Sequence, residues 1–263
     1  MHPLLTIATR AARAAGNSLL RSMENLDNLK ANVKGRNDYV TAADQKAEQI
    51  IIETILKSYP DHGFLAEESG EQRGDAEVVW IIDPLDGTSN YLHGLPHFCI
   101  SMAARIKGRI EHGLIYDPLR DELFTASRGG GAALNEKRIR VANKLRLDQA
   151  MLATALPFHS AVPLDKYLTE LNNVYPQCSD IRRMGSAALD LAYVAAGRFD
   201  GYWEYGIKLW DVAAGALMVQ EAGGIVTDMS GGSDFTGSNG IVCANPKLFK
   251  QLVQALRGQT VNV

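Results

Sequence analysis

Two aspartates three residues apart, Asp83 and Asp86, are the strongest chemical feature of the sequence. They follow the apolar run 78–82, which is typical of a strand buried on both faces, so the sequence predicts that both carboxylates lie at a strand end. Gly87 lets a ligand approach the backbone closely, and Thr88 suits the start of a helix, whose free amides can bind an anion. Carboxylates for a hard cation beside donors for a phosphate suit metal-assisted phosphoryl chemistry. Taken alone, such a segment is more often a capped turn with two solvated aspartates.

Further acids stand at other predicted strand ends and helix starts. They are Glu67 and Glu68 after a short apolar run, Glu204 at the end of the predicted strand 199–204, and Asp211 at the start of a predicted helix. An exposed loop glutamate or a helix-capping aspartate would explain each of them singly. Carboxylates that converge repel one another unless cations lie among them, and Mg²⁺ accepts such oxygen ligands while keeping waters and substrate phosphate in its shell. Together the acids therefore favour a magnesium site.

The elements that must position these acids can be predicted from the hydrophobic pattern. Apolar residues at helical spacing predict an amphipathic helix over about the first 20 residues. The polar stretch 24–38 predicts a loop or an irregular hairpin. Thr41 is a candidate N-cap for a second helix, which carries Asp44 in its first turn and ends before Pro60.

The rest of the chain predicts a meander followed by alternating strands and helices. Meander strands are predicted at 98–106, 110–116 and 122–127. The later helices are predicted at 164–174, 186–196, 210–222 and 247–256, between short strands at 151–155, 180–183, 199–204, 224–228 and 240–243. We therefore expect a mixed α+β and α/β fold, forming one domain over residues 1–263 with halves of roughly 1–145 and 146–263.

The composition narrows the class of protein. The chain has 263 residues and a formal net charge of −3, which gives no overall attraction to nucleic acid. Its three cysteines, Cys99, Cys178 and Cys243, are far apart and lack a CxxC spacing, so a zinc site or a disulfide framework is disfavoured. We find no signal peptide and no apolar run of about 18 residues, and we therefore expect a cytoplasmic protein with no membrane segment.

Several other patterns favour ordinary structural roles. The glycine run 129–131 follows a predicted meander strand and does not open a βα unit, so a turn is favoured over a nucleotide-binding loop. His93 and His97 are separated by a glycine and a proline, which excludes a regular helical pair of metal ligands. Arg182 and Arg183 are interpreted as a solvated pair, with a contact to a partner as the alternative. No GxSxG, Walker A or HExxH pattern is present.

Two longer motifs resemble the signatures of the inositol monophosphatase family. The first is Trp80-Ile81-Ile82-Asp83-Pro84-Leu85-Asp86-Gly87-Thr88-Ser89-Asn90. The second is Trp210-Asp211-Val212-Ala213-Ala214-Gly215, followed by Glu221-Ala222-Gly223-Gly224. The pair Glu67-Glu68 and the segment Gly185-Ser186-Ala187-Ala188 match as well, and the similarity covers nearly the whole chain. The resemblance implies a layered αβαβα sandwich of the sugar phosphatase type, and a homodimer.

The resemblance implies a site for two to three Mg²⁺ ions. The first ion would be held by Glu67, Asp83 and the carbonyl oxygen of Leu85. The second would be held by Asp83, Asp86 and Asp211. A third, weaker ion would lie near Glu67, with Asp44 as an outer acid.

The resemblance also implies how substrate is bound and attacked. Gly87, Thr88 and Ser89 would bind phosphate through backbone and hydroxyl groups, and Ser89 stands where the family more often has Thr. A water oriented by Glu67 and Thr88 would attack phosphorus in line, so the implied catalytic residues are Glu67, Asp83 and Thr88. The substrate hydroxyls would contact Asp86, Ala187, Glu204 and Asp211.

Two further segments are compared with the family: one on the sugar side of the pocket, which matches less closely, and one in the mobile lid. Phe158-His159-Ser160 lies where many members place a substrate-contacting Ser, so the sugar side of the pocket is less well defined by the resemblance than the metal side. The loop 34–38 matches the family's mobile lid, and Lys34 would contact phosphate or a water of the metal site.

The implied activity is Mg²⁺-dependent hydrolysis of an inositol monophosphate to inositol and phosphate, with inhibition by lithium. The absence of long insertions and the presence of Glu204 and Ala187 favour inositol phosphates. Fructose 1,6-bisphosphate or a nucleotide bisphosphate is the alternative substrate. A different role also stays open, because bacterial members resemble partners of the transcription machinery in antitermination at ribosomal RNA operons. That role would require a contact with RNA polymerase or an elongation factor.

Overall fold

The computed structural model describes residues 2–24, 31–35, 38–158, 162–235 and 240–261. The side chains of 31–41 are not described. The predicted cap at Thr41 and the predicted contact of Lys34 therefore lie outside the described residues, as do His159 and Ser160.

Seven α-helices occur within the described ranges, and the predicted helices are confirmed to within about three residues at their ends. In chain order they are α1 (Pro3–Met23), α2 (Ala42–Leu56), α3 (Thr88–Leu92), α4 (Leu164–Val174), α5 (Ala187–Ala195), α6 (Leu209–Glu221) and α7 (Pro246–Leu256). Asp44 lies in the first turn of α2, as predicted. The amphipathic α1 buries one face of alanine and leucine side chains, because those residues recur every three or four positions.

The strands of the described residues form three sheets. A hairpin pairs β1 (Ala31–Gly35) with β2 (Asp38–Thr41). The strands of the first large sheet are β3 (Gly63–Ala66), β4 (Gly70–Gln72), β5 (Val78–Asp86), β6 (Cys99–Ile106), β7 (Arg109–Asp117), β8 (Glu122–Ser127), β9 (Gly131–Leu134) and β10 (Lys137–Arg138). Those of the second are β11 (Met151–Thr154), β12 (Asp180–Arg182), β13 (Gly201–Glu204), β14 (Ile225–Asp228) and β15 (Ile241–Ala244).

The two large sheets differ in their pairing. The eight-stranded sheet has the order β10-β9-β8-β7-β6-β5-β3-β4 and contains the predicted antiparallel meander β6-β7-β8. In it only β3 and β5 pair in parallel. The five-stranded sheet has the order β12-β11-β13-β15-β14, in which β11 is parallel to both of its neighbours.

Helices and sheets alternate in five layers. The α1–α2 pair covers one face of the eight-stranded sheet, α5 and α6 lie between the two sheets, and α4 and α7 cover the outer side of the five-stranded sheet. Gly113 of β7 permits the close approach of α6, since a Cβ there would lie 3.0 Å from the Cα of Ala214. The predicted αβαβα sandwich is therefore confirmed, whereas the division into halves near residue 145 stays a prediction.

The strand that carries the two aspartates is longer than predicted. It continues through Asp83 to Asp86 instead of ending at Ile82, and its pairing with β6 shifts by one residue between the two acids. Pro84 has no N–H to donate to the ladder, so an irregularity is expected at that point. No helix in the described ranges is long and apolar enough to cross a membrane.

Candidate active site

The parallel pairing of β3 with β5 brings the first two acids together. Ala66 is the register partner of Ile82, and the next amide, that of Glu67, donates to the Ile82 carbonyl oxygen at 3.0 Å. Glu67 therefore lies beside Asp83, although 16 residues separate them in the sequence. Parallel strands end at the same edge of a sheet, which is why this pairing collects acids from two separate segments.

Asp83 is buried at the base of the acid cluster, with 2% of its surface exposed. Its Oδ1 accepts a hydrogen bond from the Leu85 amide at 2.9 Å. Burial raises the pKa of Asp83 well above its usual value, and the charges of Glu67, Asp86 and Asp211 raise it further, as does a hydrogen bond with the Glu67 side chain. Carboxyls this close repel each other when ionised, so a cation among them would be strongly favoured.

Asp86 connects the end of β5 to the start of α5. Its Oδ2 accepts hydrogen bonds of 2.7 Å from the Ser186 hydroxyl and from the Ala188 amide. Burial raises the pKa of Asp86 to about 6, although these two hydrogen bonds oppose the rise. Ser186 is also the N-cap of α5, because its hydroxyl oxygen accepts from the Leu189 amide. One serine therefore both starts the helix and orients the aspartate.

Asp211 enters the cluster from the first turn of α6. Its Oδ2 accepts a hydrogen bond of 2.6 Å from the Lys208 amide, which caps the helix as the sequence pattern suggested. Burial raises the pKa of Asp211 well above its usual value, and the charges of Asp86, Glu67 and Glu204 add to the rise. The Asp211 side chain can therefore cap α6 and belong to the acid cluster at the same time.

The predicted phosphate-binding segment begins at Gly87, whose φ of 97° lies in the left-handed region. A Cβ at this position would lie 3.1 Å from the His97 carbonyl oxygen. The predicted helix start at Thr88 opens α3, which has only five residues, so the anion-binding capacity rests on local amides and hydroxyls. The Thr88 Oγ1 lies 3.2 Å from Asp44 Oδ1 and 3.0 Å from the Leu85 carbonyl oxygen, and it donates to one or the other.

Glu204, at the end of β13, lines the same cleft as Thr88. Burial raises its pKa to about 7, and the hydrogen bond donated by the Tyr202 hydroxyl opposes that rise.

A second buried acid, Asp190 of α5, has an Oδ1 with no hydrogen-bond partner among the described residues. Burial raises the pKa of Asp190 well above its usual value, with Glu204 and Asp86 adding to the rise. Sequence reasoning missed Asp190, because an Asp in the first helical turn is usually a solvated end charge.

One cleft of about 520 Å³ collects most of the predicted site residues. Its lining includes Glu67, Asp86, Gly87, Thr88, Ser89, Ala187, Glu204 and Asp211. Asp83 and Leu85 are buried beneath it. Glu68 does not join this lining and instead faces a separate cavity beside α2, where its amide donates to Glu48. The prediction that both glutamates of the pair converge with the aspartates is therefore wrong for Glu68, because neighbouring residues at a strand end point in opposite directions.

The chemistry of this donor set fits Mg²⁺. Carboxylate and carbonyl oxygens are the ligands that the ion prefers, and it usually takes only one or two carboxylates together with waters and substrate phosphate. In the described ranges no three His, Cys, Asp or Glu side chains are arranged to hold an ion by themselves. The acids therefore form an incomplete shell that water and phosphate oxygens would have to complete.

Asn90 ties the two sides of the cleft together. Its side-chain amide is buried and lies 2.7 Å from the His97 carbonyl oxygen, 2.9 Å from that of Met184 and 3.4 Å from that of Gly185. His97 belongs to the segment that follows α3, whereas Met184 and Gly185 lead into α5. The Asn90 amide therefore fixes the position of Thr88 relative to Ser186, because Asn90 and its partner Gly185 are close to those two residues in the chain.

We expect Asn90→Ala to lower the free energy of unfolding by about 2–3 kcal/mol, because it leaves buried carbonyl groups without their donor. Urea unfolding followed by circular dichroism measures this change. Asn172→Ala, at an exposed position of α4, is the matched control and should change stability by less than about 0.5 kcal/mol. An equal loss in the two variants would contradict the bridging role of Asn90.

The similarity to known proteins extends over the whole chain. The profile of the inositol monophosphatase family matches residues 1–261. A protein named Nus factor SuhB from Pasteurella multocida is 51% identical over 258 residues, which is 98% of this chain and 97% of that protein. Nus factor SuhB from Escherichia coli K12 is 51% identical over 260 residues, with the same coverage of both chains.

Solved structures agree with these sequence matches. The extragenic suppressor protein suhB from Bartonella henselae superposes with a TM-score of 0.94 at 48% identity, covering 97% of this chain and 99% of that one. The inositol monophosphatase from Anabaena superposes with a TM-score of 0.83 at 38% identity, covering 98% and 96% of the two chains.

Proposed function

The chain belongs to the inositol monophosphatase family, and on that premise we propose that it is a magnesium-dependent phosphatase that hydrolyses an inositol monophosphate to inositol and phosphate. The observation that carries the proposal is the convergence of Glu67, Asp83, Asp86 and Asp211 from three separate segments on one cluster. Among the described residues, burial and the neighbouring acids are the main causes of the raised pKa of Asp83 and of Asp211. Divalent cations between the carboxylates would offset their repulsion.

The proposed metal ligands are Glu67, Asp83, the Leu85 carbonyl oxygen, Asp86 and Asp211. Bound Mg²⁺ would supply Lewis-acid activation of a water and would neutralise charge on the phosphoryl oxygens. The Leu85 carbonyl oxygen has a second lone pair beyond the one facing Thr88, so it can serve both partners. The amides after Gly87, that of Thr88 included, and the hydroxyl of Ser89 would then hold the phosphate.

Thr88 is placed to handle the proton of the attacking water. When its hydroxyl donates to the Asp44 carboxylate, its own oxygen can accept a hydrogen bond from a water in the cleft. As that water attacks phosphorus, its proton passes to the Thr88 Oγ1 and the Thr88 proton passes to the Asp44 Oδ1. The Glu67 carboxylate accepts the other hydrogen of the water and orients it. Asp44 is buried, with 1% of its surface exposed, so this proton is kept out of bulk solvent.

Glu204 would bind hydroxyl groups of the polyol. A carboxylate accepts from such hydroxyls, and Tyr202 already occupies one of its acceptor positions. Ala187 lines the same cleft as Glu204 and Asp86 and leaves room for the ring, since its side chain is a single methyl group.

We expect the KM for inositol 1-phosphate to rise about three- to tenfold as the pH falls from about 8 to about 6. The raised pKa of Glu204, about 7, means that the acceptor carboxylate becomes protonated over this interval. Steady-state rates at a series of pH values measure the effect. In Glu204→Gln the KM should be high throughout and should follow only the titration of the substrate phosphate. Identical pH profiles for the two proteins would exclude Glu204 as the titrating group.

Phosphate release tests the proposed function directly. The substrates are D- and L-inositol 1-phosphate, fructose 1,6-bisphosphate and a nucleotide bisphosphate, each with Mg²⁺, with a chelator, and with Mg²⁺ plus Li⁺. We expect release from inositol 1-phosphate that requires Mg²⁺ and is inhibited by Li⁺. Release that persists in the chelator would exclude the metal mechanism, and a preference for another substrate would correct the substrate class.

A second function is favoured by the names of the relatives, because proteins 51% identical to this chain are called Nus factors. We propose that this chain also contacts RNA polymerase or an elongation factor during antitermination. The net charge of −3 does not oppose such a contact, which needs no attraction to RNA.

We further propose a homodimer in the cytoplasm, where its three free cysteines would stay reduced.

A further inference from the structure

Residues 137–146, which we call the basic strap, carry five of the chain's 27 lysines and arginines and no acidic residue. These five exposed cations are Lys137, Arg138, Arg140, Lys144 and Arg146. Arg146 is paired with Asp148. Burial raises the pKa of Asp200, and the charge of Lys144 opposes that rise. The other three cations have no ion-pair partner within the described ranges, so they are available to a ligand.

The backbone of the basic strap is held in place along its length. The Ile139 amide donates to a carbonyl oxygen of β9 at 3.0 Å, and the Val141 amide donates to that of Ala222 at 3.2 Å. Farther along, the Gln251 side-chain amide donates to the Leu145 carbonyl oxygen at 2.7 Å. The side chains of Ile139 and Val141 pack against the central core. A backbone that is already ordered lowers the entropy cost of docking.

The basic strap lies at the opposite end of the middle helical layer from the cleft. Both helices of that layer begin at the cleft, where Ser186 and Asp211 lie. At their other ends, the Val141 hydrogen bond is made just beyond α6, and a Cβ on Gly197, beyond α5, would lie 3.1 Å from the Ala142 amide nitrogen. The 13 residues of α6 span about 20 Å. A ligand on the strap would therefore leave the cleft open.

The composition of the basic strap favours an acidic protein segment over RNA. Residues 131–149 contain no aromatic residue, whereas proteins that bind single-stranded RNA stack its bases on aromatic side chains. Leu145 stands among the cations with 55% of its surface exposed. Interfaces between proteins combine apolar contacts with arginines in this way. The formal net charge of −3 also gives RNA no long-range attraction to the chain.

We propose that the basic strap docks an acidic segment of a protein partner, with carboxylates on Lys137, Arg138 and Arg140 and an apolar side chain on Leu145. The inference rests on the proposed contact with the transcription machinery and names the surface and the chemistry for it. A guanidinium pairs with a carboxylate through two parallel hydrogen bonds. Exposed pairs of this kind mainly speed association and set specificity, while the apolar contact adds affinity.

Fluorescence anisotropy with labelled probes tests the proposal on the full chain. The probes are a short peptide of glutamate, aspartate and leucine, its counterpart with glutamine and asparagine, and a short single-stranded RNA. They are titrated against the wild type, against Leu145→Ser, and against the strap variant, which combines Lys137→Ser, Arg138→Ser and Arg140→Ser. The control variant replaces three exposed cations elsewhere and has the same net charge: Arg10→Ser, Arg21→Ser and Lys57→Ser. Thermal unfolding and size-exclusion chromatography check the fold and assembly state of each protein.

We expect the strap variant to bind the acidic peptide at least about tenfold more weakly than the wild type, and the control variant to stay within about threefold of it. Leu145→Ser should weaken binding about three- to tenfold, because apolar contact area is lost. Binding of the peptide should also weaken as salt is added, since the cations are exposed. The strap variant should associate less with RNA polymerase or an elongation factor while keeping wild-type phosphatase rates.

Three outcomes would overturn the inference. An equal loss in the strap and control variants, or equal binding of the acidic and neutral peptides, would mean that the strap is only a solvated charged surface. Strap-dependent binding that is tighter for the RNA than for the acidic peptide would assign the strap to nucleic acid. Undiminished association of the strap variant with the transcription machinery would place that contact elsewhere and leave the proposed second function intact. A wild-type chain that contacts neither RNA polymerase nor an elongation factor would remove that function and the inference that rests on it.

Discussion

Asp83→Asn is expected to lower the phosphatase kcat/KM by about 10³-fold or more, because Asp83 is proposed to contact both principal metal ions. The fold should survive the change. An asparagine keeps an oxygen that can accept from the Leu85 amide, and it removes a buried charge that Glu67, Asp86 and Asp211 repel. We therefore expect the metal-free variant to unfold at a temperature no lower than that of the metal-free wild type. Initial rates with Mg²⁺ and thermal unfolding in a chelator measure the two effects.

The control for this variant is Asp148→Asn, which changes an exposed aspartate paired with Arg146 outside the cleft. It should keep wild-type rates. Wild-type activity in Asp83→Asn would contradict the proposed metal site.

The same variant separates the two proposed functions, since association with RNA polymerase should persist in Asp83→Asn if the contact lies elsewhere. Loss of both properties would place them on one site.

Thr88→Val is expected to lower kcat by about 10²- to 10³-fold while changing KM by less than about threefold. Valine has nearly the shape of threonine but lacks the hydroxyl that joins a cleft water to Asp44. Binding of the polyol is assigned to Glu204 and its neighbours and not to the Thr88 hydroxyl. The loss of activity should therefore fall on kcat. Single-turnover and steady-state rates with saturating Mg²⁺ distinguish kcat from KM.

Thr88→Ser provides the rescue for this prediction, because it restores the hydroxyl without the methyl group. It should retain at least about a tenth of the wild-type kcat. Comparable losses in the serine and valine variants would show that the threonine methyl group is needed for packing. A valine variant with wild-type kcat would show that the water is oriented without Thr88.

The fold could largely be read from local patterns. Amphipathic periodicity located α1 and α4, and turn residues separated the meander strands β6, β7 and β8. The short strands β4, β9 and β10 were not predicted, since two to four residues at or next to a sheet edge carry too little periodic signal. The resemblance of the Asp83–Asn90 and Trp210–Gly215 motifs supplied the layer order, which periodicity alone does not contain.

The candidate site could be read only in part. The residue types and their places at strand ends identified Asp83, Asp86, Glu204 and Asp211 as candidates. The resemblance already chose Glu67 over Glu68 as a metal ligand, and the register of β3 against β5, which sets the direction of each side chain, supplies the physical reason. Asp190 escaped attention, and Arg183, which lines the cleft, was interpreted as one of a solvated pair. The environment of a charged side chain depends on what packs around it, which the sequence does not show.

By itself the sequence determined which chemistry was available, since acids at strand ends and a Gly-Thr-Ser segment are properties of neighbouring residues. It also determined the family, because two long motifs are specific enough to identify it from the order of residues alone, without any distances. Only the tertiary structure decided which acids share a cluster, which arginine faces it, and which hydroxyl reaches Asp44. The physical reason is that repulsion, burial and hydrogen bonding act between atoms a few ångströms apart, and pairs such as Asp44 with Thr88 and Asp86 with Ser186 become neighbours only when the sheets and helices pack.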